Sequence, residues 1–445
     1  MRNQVASTET GFIGRLTAEQ EQKLQRLWGV VLLSFDTDTT KSHSDAQPEP
    51  SATVARPGAQ QKYDLELVQR TMTGITAPEL RQAWLHMLKQ ENADALLLRF
   101  LRARKWDVSQ AFAMLVSAIT WRCKGSRVDD EINPKGDAWC AEKQQTGRGQ
   151  EQKDARDFLT QLRLGKVYIH GRDRLGRPIG YIHVALHKPG AQSEWVLEKL
   201  VVHTIETARC LFVPPVESAC VLFDMTGFSL SNMEWFIVKF IIQCFEANYP
   251  ECLGVLLIHN APWVFSGLWK IIRGLLDPVV KAKVNFTQNV QDLEKWIPPE
   301  NIIKRLGGVE DWQYEYREPS ELEDAPLADA ITKDELMKER NEMANELLET
   351  TRLWLDSLSA KDTEKAATQQ SKRQSFIEAL RQNYWRLDAF VRSRSLLDRT
   401  GVLKPGGVVN LYPERSKSLD KATTDEIEVR ASVDVAVDRA VVVAS

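Results

Sequence analysis

The spacing of apolar positions changes character twice along this chain. In the first part it is helical. Leu24, Leu27 and Trp28 share one face, and Thr17 with Gln20 forms a capping box, so a helix is predicted within residues 11–34. The next stretch, SFDTDTTKSHSDAQPEPSATVARPGAQQ, is rich in Ser, Thr, Asp and Pro, too polar to bury a face, and reads as a linker. Helical spacing returns from about residue 63. In NADALLLRFLRARKWDVSQAFAMLVSAITWR, Asn92 is placed to cap a helix bearing Leu97, Leu98 and Leu101. A second helix from Ser109 collects Phe112, Leu115, Val116 and Ile119 on one side.

Between about 165 and 310 the apolar runs become short. KVYIH, PIGYIHVAL, ACVLFDM and CLGVLLIHN read as strands, and EWVLEKLVVHTIETARCLF and NMEWFIVKFIIQCFEAN between them read as helices. Strand alternating with helix implies an α/β fold with a mostly parallel sheet, and the Gly/Pro turn GRDRLGRP adds an antiparallel hairpin, making the sheet mixed. Residues 320–400 turn charged and helical, closing with the amphipathic FIEALRQNYWRLDAFVRSRSLLDR. The stretch at 373–398 has three possible partners: the fold itself, a membrane or another protein. The expected organisation is an N-terminal helical extension (1–34), a disordered linker (35–62), an all-α subdomain (63–130), an α/β domain (150–318), a helical C-terminal extension (319–411) and a disordered tail (412–445).

Composition narrows the function classes. The 445 residues are 43% hydrophobic and 27% charged with a formal net charge of −3, ordinary for a globular protein and without the basic excess of a nucleic-acid binder. No uncharged apolar run approaches the about 18 residues of a membrane span, and MRNQVASTET has no signal-peptide core. The six cysteines are scattered without a CxxC, as expected of free thiols in a reducing compartment. A cytoplasmic monomer is expected. GxSxG, P-loop and GxGxxG motifs are absent, and His183, His187, His203 and His259 lack metal-ligand spacing, so neither an enzyme nor a metal site is expected.

Two charges interrupt this pattern. Glu251 stands at the mouth of the apolar run Leu253–Ile258, and Lys283 lies inside DPVVKAKVNF. On the residues alone, a structural ion pair and a pair serving a polar ligand are equally consistent. Strand alternation also puts Ala219, Val221 and Phe223 on one face and Cys220, Leu222 and Asp224 on the other.

The series LLLRFLRARKWDVSQAF, DRLGRPIGYIHV, VLFDMTGFS, FEANYPECLGVLLIHNAPWVFSGLW, LLDPVVKAKV and IPPENIIKRLGG, over about residues 80–310, resembles the CRAL-TRIO lipid-binding family, specifically its fungal phosphatidylinositol transfer proteins. The resemblance implies the CRAL-TRIO lipid-binding fold, with an apolar lipid cavity behind an all-α N-terminal subdomain. It implies that Glu251, Lys283, Arg104 and Lys105 hold the phosphatidylinositol headgroup, cations meeting the phosphate and the carboxylate meeting ring hydroxyls. Cys252 replaces an arginine of the family pattern and Val280 a threonine, which leaves fewer hydrogen bonds. Ala219 and Val221 stand where phosphatidylcholine-binding members carry Ser and Thr, and where haem-binding members need Tyr or His. The expected second ligand is therefore more apolar, a sterol or squalene-like lipid, and no cofactor is expected.

PWVFSGLWKIIRGLLDP corresponds to the family's gating helix, with Val264, Phe265, Leu268, Trp269, Ile271, Ile272, Leu275 and Leu276 over most of its circumference. The same pattern suits a buried core helix. The resemblance implies a lid, with the cavity between it and the sheet face bearing Val221 and Phe223. The expected partners are phospholipid membranes, met transiently at the endoplasmic reticulum, the Golgi, endosomes or lipid droplets. Lipid kinases are candidate partners if the protein presents phosphatidylinositol rather than moving it.

Overall fold

The structure, a computed structural model, describes residues 10–37 and 59–415. Most of the predicted linker, and residues 416–445 of the predicted tail, lie outside the described residues. The chain opens with helices α1 (Ala18–Asp36), α2 (Ala59–Thr71), α3 (Ala77–Leu88), α4 (Ala93–Ala103), α5 (Val108–Thr120), α6 (Asp137–Thr146) and α7 (Gly149–Arg163). The capping box of Thr17 and Gln20 starts α1, and the Asn92 side chain accepts from the Asp94 and Ala95 amides to start α4. The sheet domain comes next as β1 (Val167–Arg172), β2 (Pro178–His183), α8 (Glu194–Arg209), β3 (Ala219–Asp224), α9 (Trp235–Gln243), β4 (Leu253–His259), α10 (Phe265–Leu275), α11 (Pro278–Ala282), β5 (Val284–Thr287) and α12 (Val290–Leu293). The chain ends in two long helices, α13 (Ala330–Ser359) and α14 (Thr363–Val391), a short α15 (Leu396–Thr400) and a small hairpin of β6 (Leu403–Lys404) and β7 (Val408–Val409).

The five strands lie in the order β1-β2-β3-β4-β5, with β1 antiparallel to β2 and the rest parallel. The Asp173 carboxylate holds the β1–β2 turn by accepting from the Leu175 and Arg177 amides, and Gly176 supplies the φ of +79° that the turn requires. β5 is not separable in the sequence, because VNFT is a four-residue extension of an apolar run that begins in α11. The C-terminal extension, predicted helical throughout, also contains the β6–β7 hairpin.

Strand alternation divides the apolar side chains between two faces. Tyr168, Tyr181, Cys220, Leu222, Val255 and Leu257 form the back core with Leu293, Ile297, Ile302 and Leu306. Ile169, Gly180, Ile182, Ala219, Val221, Phe223, Leu256 and Ile258 face the other way. The extensions are not appendages. Trp28 and Leu27 of α1, Leu97 and Leu101 of α4, Phe112 of α5, Leu347 of α13 and Leu380 of α14 share one core. The amphipathic 373–398 stretch thus packs on the fold.

Buried charges brace these joints. Glu206 of α8 meets Lys89 at 2.6 Å and Arg122 at 2.7 Å, while Arg209 spans to Glu91 at 2.9 Å. Burial opposes ionisation of Glu206, but Arg122, Lys89 and Arg209 outweigh it and hold its carboxyl well below the usual range. Asp94 accepts from the Trp28 indole at 2.7 Å and pairs with the fully buried Arg373 at 2.7 Å, joining α1, α4 and α14. Removing one partner of such a pair strands the other charge in the core. Asp94→Ala is expected to cost about 3–5 kcal/mol in urea unfolding, with most of it recovered in the double variant Asp94→Leu/Arg373→Met. A single-variant loss under about 1 kcal/mol, the range of exposed pairs, would refute the bracing role.

Candidate functional site

The front face of the sheet is covered but not filled. Between it and helices α8, α9 and α10 lies a cavity of about 250 Å³. Ala219, Val221, Phe223 and Ile182 form its floor, Leu197, Val201 and Ile205 of α8 and Ile237 and Ile241 of α9 its sides, and Phe265, Trp269, Ile272 and Leu276 its cover. At its centre Gly180 leaves the floor bare: a Cβ there would meet nothing nearer than the Cys220 carbonyl oxygen, 4.0 Å away. Ala219, Val221 and Phe223 bring no hydroxyl or amide to this wall, so it offers a ligand only apolar contact.

The cover helix has two unlike faces. Phe265 is buried against Phe228, edge-on with centroids 5.8 Å apart, and Trp269 packs edge-on against Phe286 at 5.2 Å. Val264, Leu268 and Ile272 complete this inward cluster. Ile271 and Leu275 point outward at 55% and 45% exposure, alongside Lys270, Arg273 and the 87%-exposed Trp263. The apolar circumference read from the sequence is therefore split, part on the cavity and part on the surface. Phe265 alone among the residues of α10 is fully buried.

The strand directions set two polar ends. Glu251 precedes β4 and Lys283 precedes β5, neighbouring parallel strands, so both charges stand at the same edge of the sheet. Their side chains meet at 3.2 Å, each about four-fifths buried. The Leu256 amide donating to the Lys283 carbonyl at 2.9 Å fixes the register. Of the two cations predicted to join them, Arg104 lies close enough to Glu246 for their charges to interact, and Lys105 is exposed at the end of α4 with φ +50°. Among the described residues neither side chain makes a hydrogen bond or ion pair. Besides Lys283, the cation whose charge reaches Glu251 is Arg102, which bonds Glu217 at 2.9 Å and the Gly11 carbonyl at 2.8 Å. The sequence carries three basic residues within RARK, and only the rotation of α4 in the fold decides which turns inward. Cys252 is not without a cation either, because Arg99 approaches its sulfur at 3.6 Å. Val280 is buried against Val221 and Leu253.

Because β1 runs opposite to β2, Lys166 at its start lies beside His183, at the end of β2, about six residues or roughly 20 Å along the strands from the Glu251 edge. Lys166, His187 and Glu234 line this far end of the cavity. Burial, partly offset by Glu234, pulls the Lys166 ammonium down to about 8, and it donates to Gln161 at 3.0 Å. Burial and the Lys166 charge hold His187 below its ordinary value while it bonds Glu234 at 2.9 Å. This group comes from three separate segments and carried no signal in the sequence.

On the back of the sheet, His183 bridges Asp224 and the Tyr168 hydroxyl, each at 3.0 Å. Burial pushes the Tyr168 phenol up, away from a nucleophilic phenolate. No group of metal-ligand type occurs among the described residues, and no helix there is long and apolar enough to cross a membrane.

Comparison with known proteins agrees with this architecture. Residues 61–117 match the CRAL/TRIO N-terminal domain and residues 162–308 the CRAL/TRIO domain. A CRAL-TRIO domain-containing protein of Schizosaccharomyces pombe is 40% identical over 77% of this chain and 72% of its own length. The phosphatidylinositol transfer protein CSR1 of Eremothecium gossypii is 36% identical over 89% of this chain and 100% of its own. The SEC14 cytosolic factor of Yarrowia lipolytica is 26% identical over 67% and 50%. With both modules matched and these relatives aligned over most of its length, the chain belongs to the CRAL/TRIO domain family of lipid-binding and transfer proteins.

Proposed function

We propose that this protein binds phosphatidylinositol with its acyl chains in the front-face cavity, and exchanges it at membranes for a second, more apolar lipid. The observation that carries the proposal is the cavity itself, apolar-walled and lined by Cys252 and Val284, the residues next in sequence to the paired Glu251 and Lys283. A headgroup phosphate needs cations and inositol hydroxyls need acceptors; Lys283 with Arg104 and Lys105 supplies the first, Glu251 the second.

A two-chain lipid has about 30 methylenes, each worth about 0.8 kcal/mol on leaving water, so unassisted desorption is very slow. An apolar cavity removes most of that barrier. At about 250 Å³ the cavity is smaller than an ordinary ligand pocket of about 300 to 1,000 Å³, so a lipid of this size enters as the cover moves away. α10 suits that movement. It gives up little buried surface, and its outward Trp263, Ile271 and Leu275 with Lys270 and Arg273 match an anionic bilayer surface. No bond in the lipid is made or broken, and the protein works as a carrier, with no catalytic role for the buried Asp224–His183–Tyr168 chain. Presentation of bound phosphatidylinositol to a lipid kinase uses the same site.

The Glu251→Ala/Lys283→Ala double variant is expected to lose at least tenfold in phosphatidylinositol transfer between liposomes while keeping its unfolding midpoint; undiminished transfer would remove these residues from the headgroup site. Gly180→Leu, which fills the bare floor, is expected to abolish lipid loading and leave the fold at least as stable. Native mass spectrometry of that variant retaining a stoichiometric lipid would place the acyl chains elsewhere. Lipid co-purifying with the wild-type chain is expected to include phosphatidylinositol and a sterol or terpene. Abundant phosphatidylcholine would contradict the reading of the Ala219–Val221 wall.

A further inference from the structure

A second ion pair stands at the sheet edge that carries Glu251 and Lys283. Glu217 precedes β3 by two residues as Glu251 precedes β4, and the parallel pairing of Ala219 with Leu253 sets the two acids side by side. Arg102 bonds Glu217 at 2.9 Å, and its charge also reaches Glu251. What holds Arg102 comes from 91 positions earlier in the chain. Gly11–Arg15 form a tight turn ahead of α1, in which the Gly11 amide donates to the Arg15 carbonyl and the Arg15 amide to the Phe12 carbonyl, each at 2.9 Å. The Gly11 carbonyl accepts from the Arg102 guanidinium at 2.8 Å, and the Phe12 ring lies against that guanidinium, its centroid 4.1 Å from Cζ. Gly11 has φ +96°, and a Cβ there would come within 3.0 Å of the Trp106 ring, so only glycine seats the turn this closely on the end of α4. Trp106 and Lys105 are themselves left-handed, with φ +67° and +50°, a backbone that persists only where its surroundings impose it. The turn is tethered in its own right: Gln20, of the α1 capping box, donates to the Thr10 hydroxyl at 3.2 Å.

We propose that the Gly11–Arg15 turn is a positioning element of the headgroup site, acting through Arg102 without lining the lipid cavity itself. The inference rests on the reading of Glu251 and Lys283 as headgroup residues. Lys283 lies 3.2 Å from Glu251, so its ammonium must turn away from that carboxylate to meet a phosphate. Glu251, mostly buried, then needs another cation beside it to remain an ionised acceptor for ring hydroxyls. Arg102 is that cation, clamped between Glu217, the Gly11 carbonyl and the Phe12 ring. A loose arginine chain would lose rotamer freedom as the lipid arrived, whereas here the turn has ordered it beforehand. The contact of Gly11 with Trp106 also steadies the left-handed loop from which Arg104 and Lys105 project.

A mutant cycle in the full chain tests this, read by transfer between liposomes over a range of phosphatidylinositol contents. Phe12→Ala removes the ring, and Gly11→Val forces the turn off Trp106. Each is expected to raise the phosphatidylinositol content giving half-maximal transfer by about three- to tenfold, with the unfolding midpoint and the loading of the second, apolar lipid unchanged. Arg102→Met is expected to raise it at least as far, and Phe12→Ala/Arg102→Met no further than Arg102→Met alone, because the turn acts through that side chain. Half-maximal transfer at an unchanged or lower content would overturn the assignment. So would losses that add in the double variant or that track a lowered unfolding midpoint, since the turn would then be only a structural cover. The Glu251→Ala/Lys283→Ala variant separates the two readings. Undiminished transfer there removes the headgroup site and this inference with it, whereas a loss there beside normal Phe12→Ala and Arg102→Met variants removes the role of the turn alone.

Discussion

The fold rests on one sheet whose two faces are both apolar and covered while only one is filled. Behind it, Cys220, Leu222, Val255 and Leu257 close against Leu293, Ile297 and Ile302 as a conventional core. In front, Ala219, Val221 and the bare Gly180 face a void of about 250 Å³. At about 24 cal/mol per Å³ of cavity, an empty front face forgoes roughly 6 kcal/mol of packing, comparable with the whole stability of many domains. A hydrocarbon ligand supplies the missing contacts, so occupancy and stability are linked.

The rest of the chain makes such a void tolerable. The helical module is joined to the sheet domain by a continuous set of buried ions, in which Glu206 is shared by Lys89, Arg122 and Arg209, and Glu91 by Arg99 and Arg209. Every charge in it has an opposite partner, which makes the joint stiff and geometrically specific rather than simply strong. α13 and α14 extend the helical core through Leu347 and Leu380 and are locked by Asp94 and Arg373. α10 contributes little to either core. The rigid part of the molecule can hold its shape while its cover does not.

The polar groups at one end of the cavity and beside the other both owe their place to strand direction. Parallel β4 and β5 bring Glu251 and Lys283 to one edge, while the reversed β1 delivers Lys166 to the other. β1 is also a terminal strand of the sheet, and its Val167 and Ile169 line both the lipid cavity and the channel beside it, a second cavity of about 590 Å³. The reversal of β1 sets the counter-end of the lipid site, and its terminal position in the sheet sets the boundary of the second cavity.

Local physics was legible in the chain. The Thr17 and Asn92 caps, the period-2 split of Ala219, Val221 and Phe223 from Cys220 and Leu222, and the turn at Asp173–Gly176 each depend on a few neighbouring residues, so the sequence alone determined them. It also marked Glu251 and Lys283 as charges out of keeping with their surroundings, though their 3.2 Å approach across 32 positions needed the sheet. What only the tertiary structure decided depends on rotation and on distant partners. An amphipathic helix announces a buried face without naming what buries it, so the common core of α1, α4, α5, α13 and α14 was invisible. The three basic residues of RARK are alike in composition, and the phase of α4 alone turned Arg102 toward Glu251 and left Lys105 in solvent. Lys166, His187 and Glu234, and the walls of the channel from Asp137 to Arg415, converge from segments too far apart for any local pattern to record.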